Sequence, residues 1–154
     1  MLPLNSVSRS LWGLLLAAIL IPGPAVAGDG TGSPTKPLRV VYQCSEPGPG
    51  AYSQLLFSVD QLQQKYEEKI HIVVTCLGPG IHLLAKNPKR EVPPGALDKL
   101  EYLSLAGVEF HACGNTMDAL GWTANDMHEF VTVVPIGADD LMLLQLQGYA
   151  YLKW

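Results

Sequence analysis

Short runs of β-branched residues alternate with longer helical patterns from Leu38 to the end of the chain, and this alternation restricts the fold more than any other feature. Arg39 to Cys44 (RVVYQC) reads as a strand, bounded by the turn-rich Ser45 to Gly50 (SEPGPG). Ala51 to Tyr66 places Leu55, Leu56, Val59, Leu62 and Tyr66 at helical spacing with polar residues between them. A second strand follows at Ile70 to Cys76 (IHIVVTC), ended by Gly78, Pro79 and Gly80. Ile81 to Ala85 predicts a short helical turn, and the polar, proline-containing Lys86 to Pro94 predicts a long loop. Gly95 to Ala106 predicts a helix with Leu97, Leu100 and Leu103 facing in and Gly107 ending it. Val108 to Ala112 (VEFHA) is the third strand and runs into Cys113. Asn115 to Leu120 is a short helix, and Thr123 to Glu129 is another, capped by Thr123 with Asp126 three residues on. Thr132 to Pro135 belongs to a fourth strand, Asp139 and Asp140 open a last helix that Gly148 closes, and Tyr149 to Leu152 (YAYL) is the final strand. Strand-helix alternation of this kind builds βαβ units, so the expected class is α/β, a parallel sheet with helices on both faces.

The first 37 residues lack this pattern. Leu11 to Ile21 (LWGLLLAAILI) is apolar, preceded by Arg9 and followed by Pro22, Gly23 and Pro24. The run is much shorter than the roughly 20 residues a membrane-spanning helix needs. Ala25, Val26 and Ala27 then supply an A-x-A cleavage pattern. Residues 1–27 are therefore read as a secretory signal peptide, which makes the mature protein exported, in the periplasm, with no membrane segment after cleavage. Gly28 to Pro37 (GDGTGSPTKP) carries no large apolar side chain and reads as a flexible leader to one folded domain, residues 38–154. Cleavage would remove Arg9 and no acid, taking the formal net charge from -4 to -5. With a pI near 5.4 and no run of Lys or Arg, the chain has no electrostatic footprint for nucleic acid or an anionic membrane.

A parallel sheet points every strand the same way, and open α/β folds place their sites outside the carboxyl edge. Cys44, Cys76 and Cys113 end the first three strands, so the three cysteines of the chain are expected along that edge. Cys113 is followed by Gly114, Asn115, Thr116 and Met117, a tight turn into a helix, where unpaired backbone N–H groups favour thiolate over thiol. Thiolate is the nucleophile. Gly114 leaves room for an incoming group, and Asn115 is placed to cap the helix or to bind an anion. Packing as a small buried hydrophobe is the other reading of Cys113. Cys44 and Cys76 are secondary thiols: ordinary packing is one reading, and resolving an oxidised Cys113 or forming a disulfide with it is the other. His111 shares the strand face of Cys113, one pleat away, on the order of 6 to 7 Å.

Other chemistries find little support. The four histidines, His71, His82, His111 and His128, and the three cysteines contain neither C-x-x-C nor H-x-x-x-H, so no metal site is expected. The loops Glu46 to Gly50 and Gly78 to Gly80 contain proline, which has no N–H to offer a phosphate, and neither matches a nucleotide-binding fingerprint. No cofactor is implied. No serine sits in a G-x-S-x-G elbow.

The segment Gly107 to Gly121 (GVEFHACGNTMDALG) resembles the surroundings of the sulfur-carrying cysteine in DsrE/DsrF-like proteins, the family that includes the sulfur-relay Tus subunits. The stretches RVVYQCSEPGPGAYSQLLFSVDQL, IHIVVTCLGPGIHLL and VVPIGADDLMLLQLQGYAYLKW extend the similarity over about Leu38 to Trp154. The resemblance implies a three-layer α/β/α sandwich with a five-stranded, mostly parallel sheet, assembled as trimers or hexamers. It also implies that Cys113 accepts sulfane sulfur as a persulfide, beside Gly114, Asn115 and Thr116, and exchanges it with a donor or acceptor protein. Cys44 and Cys76 match no sulfur carrier of the family. Two functions follow from different classes: an exported, sulfurtransferase-like sulfur carrier, and a non-enzymatic oligomeric binding module in which Cys113 is structural.

Overall fold

The computed structural model describes residues 36–154. The segment read as a signal peptide, and the leader up to Thr35, lie outside the described residues. The elements run β1 (Leu38–Cys44), α1 (Pro49–Tyr66), β2 (Ile70–Cys76), α2 (Ala96–Leu105), β3 (Glu109–Cys113), α3 (Gly114–Leu120), β4 (Val131–Val134), α4 (Gly137–Leu146) and β5 (Ala150–Lys153). The five strands form one sheet in the order β4-β3-β2-β1-β5, and every neighbouring pair is parallel.

Successive residues of a strand face opposite sides of the sheet, and that parity builds the two outer layers. Val40, Tyr42 and Cys44 of β1, Ile72, Val74 and Cys76 of β2, and Phe110 and Ala112 of β3 join the larger core. Helices α1, α2 and α3 cover it with Tyr52, Leu55, Leu56 and Val59, with Leu100 and Leu103, and with Met117. Val41 and Val73 point the other way and meet Leu141 and Leu144 of α4. The result is the three-layer α/β/α sandwich with a five-stranded sheet. β1 and β2 are buried almost throughout, as parallel strands covered on both faces must be.

Several local expectations change. Leu97, expected to face in, is 41% exposed. Ala96, Leu100 and Leu103 hold the buried stripe at i, i+4 and i+7, which leaves Leu97 a third of a turn off it. The helix expected over Thr123–Glu129 shrinks to a single 3-10 turn at Ala124–Asp126. Its cap forms, with Asp126 Oδ2 accepting from the Thr123 N–H at 2.7 Å. Continuation is blocked by tertiary pairing: Ala85 and Met127 make an antiparallel bridge, and the His128 N–H donates to the Leu84 carbonyl at 3.1 Å. The helical turn expected at Ile81 starts earlier, as a 3-10 turn over Gly78–Leu84.

That turn packs hard against the carboxyl end of β1. A Cβ on Gly80 would lie 2.2 Å from the Cys44 carbonyl oxygen, and no side-chain movement relieves a clash with backbone. Gly80→Ala should therefore destabilise the domain by about 3 kcal/mol. Urea unfolding of the two proteins measures this, and equal midpoints would contradict the packing.

Candidate functional site

All three cysteines end strands at the carboxyl edge and all are free thiols, but the sheet separates them. Cys44 and Cys76 are register partners in adjacent strands and face the α1 side. Cys76 pairs with Ala112, so Cys113 stands one residue further along and on the opposite face, under α4. With the sheet between them, neither Cys44 nor Cys76 is placed to resolve Cys113 or to bond to it. Burial, together with the neighbouring Cys44, pushes the Cys76 thiol well above its ordinary range. The Cys44 Sγ is turned to the Gly80 carbonyl at 3.7 Å.

Cys113 is 5% exposed, and its sulfur is surrounded by donors. The Gly137 N–H, in the first turn of α4, donates to Sγ at 3.2 Å. The Thr116 hydroxyl accepts the Gly78 N–H at 3.0 Å, which leaves its own proton for the sulfur, and the Thr116 backbone N–H also favours the charged form. Burial raises the Cys113 thiol, but the Thr116 hydroxyl, the Gly137 N–H and the backbone of Thr116 and Asn115 outweigh it, and the net shift is downward. Hydrogen bonds that favour the charged form are the cause.

Two glycines make this enclosure possible. A Cβ on Gly137 would come within 2.9 Å of the Cys113 Cβ and 3.3 Å of both its sulfur and the Leu77 Cβ. Helix α4 can approach the thiol only because Gly137 carries no side chain. Gly114 serves a different purpose from the one expected. Its bare Cα faces the carbonyls of Pro135 and Val134, at 3.0 and 3.1 Å from an added Cβ, so it admits the β4–α4 connection rather than an incoming group. The Asn115 N–H donates to the Pro135 carbonyl at 3.1 Å, while α3 has no side-chain cap, so the expected Asn115 cap is not made. Gly137 was not legible as a site residue. Its signal, a glycine opening a helix before two acids, is also that of an ordinary helix start.

Beneath α4 lies a polar chain across the sheet. Asp140 Oδ2 accepts from Thr75 Oγ1 at 2.7 Å and pairs with His111 Nδ1 at 2.9 Å. Glu109 sits between His111 and His71, and the Tyr149 hydroxyl meets His71 Nδ1 at 2.7 Å. Among the described residues, no group of three or more His, Cys, Asp and Glu is arranged to hold a metal ion, and no helix is long and apolar enough to cross a membrane.

The DsrE/DsrF-like family model matches residues 39–154, the whole sheet with its site. The chain belongs to the DsrE/DsrF-like family. Two solved structures share the fold. One is MTH1491 from Methanobacterium thermoautotrophicum, a protein of unknown function, at 27% identity and a TM-score of 0.68, covering 76% of this chain and 99% of its own. The other is the ychN protein from E. coli, at 13% identity and a TM-score of 0.62, covering 77% of this chain and 99% of its own. No curated protein sequence matches at a significant level. The family is associated with sulfur relay, and in this member the best-donated thiol is Cys113.

Because the Thr116 hydroxyl is one of the groups holding the thiol down, Thr116→Val should raise the pH midpoint of Cys113 alkylation by about one unit. Rates of iodoacetamide labelling against pH, read by peptide mass mapping, measure it; an unmoved midpoint would remove Thr116 from the site.

Proposed function

We propose that this protein is an exported sulfur carrier that holds sulfane sulfur as a persulfide on Cys113. The observation that carries the reading is the Gly137 N–H aimed at the Cys113 sulfur, within a family associated with sulfur relay. The chemistry is a pair of thiol exchanges. The Cys113 thiolate attacks the outer sulfur of a donor persulfide; the donor's S–S bond breaks, a bond forms between Cys113 Sγ and that sulfur, and the donor departs as a thiolate. An acceptor thiolate then attacks the outer sulfur and Cys113 leaves. No net oxidation occurs in either step. The donors that lower the thiol also suit it as a leaving group, since a lower pKa leaves faster.

The signal-peptide reading of residues 1–27 supports a place outside the cytoplasm, in the periplasm. The outer face of α4 supports self-assembly into trimers or hexamers: Met142 is 51% exposed, Leu143 46% and Leu146 78%, with Ile136 beside them. Neighbouring exposed apolar side chains of this kind mark an interaction surface. A donor or acceptor protein is the further partner. The burial of Cys113 favours a second reading, an oligomeric binding module in which the thiol only packs.

Incubation with a small persulfide donor separates the two. The carrier should gain about one sulfur mass per chain and Cys113→Ser should gain none; equal labelling of both, or of neither, would sink the carrier. Native mass spectrometry of protein recovered from the periplasm tests the rest. Chains should begin at Gly28 and form trimers or hexamers, and Leu146→Glu should shift the population to smaller species. A monomeric wild type, or a chain that keeps its first 27 residues, would contradict these two assignments in turn.

A further inference from the structure

The first turn of α4 carries both the Gly137 N–H and Asp140, and the two are fixed to the sheet at different points. The turn closes when the Asp140 N–H donates to the Ile136 carbonyl at 3.0 Å. Its carboxylate is then gripped from two strands, by Thr75 Oγ1 of β2 at 2.7 Å and by His111 Nδ1 of β3 at 2.9 Å. Thr75 is fully buried, and the side chains of His111 and Asp140 are 10% and 13% exposed. The neighbouring Asp139, equally suited to a helix N-terminus, points to solvent. Turning a carboxylate inward costs desolvation that a solvent-facing one avoids, and here two donors offset it.

The other directional contact between α4 and the sheet, from the Arg39 guanidinium to the Gln147 carbonyl at 3.1 Å, lies at the far end of the helix. Val41, Val73, Leu141 and Leu144 bury α4 against the sheet, but apolar contacts tolerate sliding, whereas a hydrogen bond weakens steeply with distance and angle. The Gly137 N–H must stay aligned with the Cys113 sulfur, at 3.2 Å, to act on it.

We propose that Asp140, held by Thr75 and His111, is a positioning residue that fixes the first turn of α4 over Cys113 and so aims the Gly137 N–H at the sulfur. Glu109 and His71 extend the support. Glu109 lies 3.4 Å from His111 Nε2 and 2.9 Å from His71 Nε2, and it limits the ways the His111 ring can turn. The role rests on Cys113 being the reactive thiol, and it assigns Asp140, Thr75 and His111 to setting that thiol's ionisation without touching the sulfur.

The experiment follows Cys113 alkylation by iodoacetamide against pH, with no sulfur donor present, in wild type, Asp140→Ala, Thr75→Val and Thr75→Ser. Positioning predicts that Asp140→Ala and Thr75→Val each raise the midpoint by about one pH unit, while Thr75→Ser, which keeps the hydroxyl, stays at the wild-type value. A carboxylate acting only through its charge predicts the opposite sign, because removing a negative charge favours the thiolate. A lower midpoint in Asp140→Ala, or unmoved midpoints in both removal variants, would overturn the role. Thr75→Val keeps the side-chain volume and carries the test if Asp140→Ala does not fold. A wild-type midpoint near about 8.5 would overturn the reactive-thiol reading itself, whereas a depressed one that neither variant moves would overturn positioning alone.

Discussion

The pairing of β1 with β2, in register from Leu38 with Ile70 to Cys44 with Cys76, is the constraint on which the remaining structure depends. It places two buried strands at the centre of the sheet and fixes which side chains face α1 and which face α4. A slip of β1 by one residue would send Val40 and Tyr42 to the α4 side and take them out of the larger core. The β2–β3 register then sets Cys76 opposite Ala112, so Cys113 extends one residue beyond the end of β2. That single step puts Cys113 on the face opposite Cys44 and Cys76 and under the first turn of α4.

What happens to the thiol follows from competition between desolvation and hydrogen bonding. A buried sulfur surrounded by apolar groups is held as the thiol, and Cys76 illustrates it. Cys113 is nearly as buried but is supplied with donors from two separated segments, α3 through Thr116 and α4 through Gly137, while the Gly78 N–H in the turn after β2 holds the Thr116 hydroxyl. Donors brought in from separate segments hold their aim only if those segments are fixed relative to one another. The bond from the Asn115 N–H to Pro135, the absence of a side chain at Gly114 and Gly137, and the grip of Thr75 and His111 on Asp140 provide that fixation.

The degree to which this was legible differs from residue to residue. The strands ending in Cys44 and Cys76 were readable because a β-branched run bounded by glycine and proline has few alternatives, and α1 was readable from Leu55, Leu56, Val59 and their spacing. Leu97 turns outward against its expected facing because a helix of ten residues with leucines on neighbouring faces does not reveal its phase, which packing against α1 and the sheet decides. The turn at Thr123 has a sound helix start, yet pairing of Ala85 with Met127 overrides the local preference. Local sequence favours a capping Asn115 and an open Gly114, and the approach of the β4–α4 connection engages both instead.

By itself the sequence determined the α/β class, the order of its elements and the placing of Cys113 at a strand end next to a helix. These are consequences of local periodicity and turn chemistry, which act over a few residues and are written along the chain. The tertiary structure alone decided that the sheet separates Cys113 from Cys44 and Cys76, that a bare Gly137 lets α4 close over the sulfur, and that Asp140 turns inward to Thr75 and His111. These depend on strand register and on contacts between residues far apart in sequence, such as Cys113 with Gly137 and Thr75 with Asp140, which no local pattern specifies.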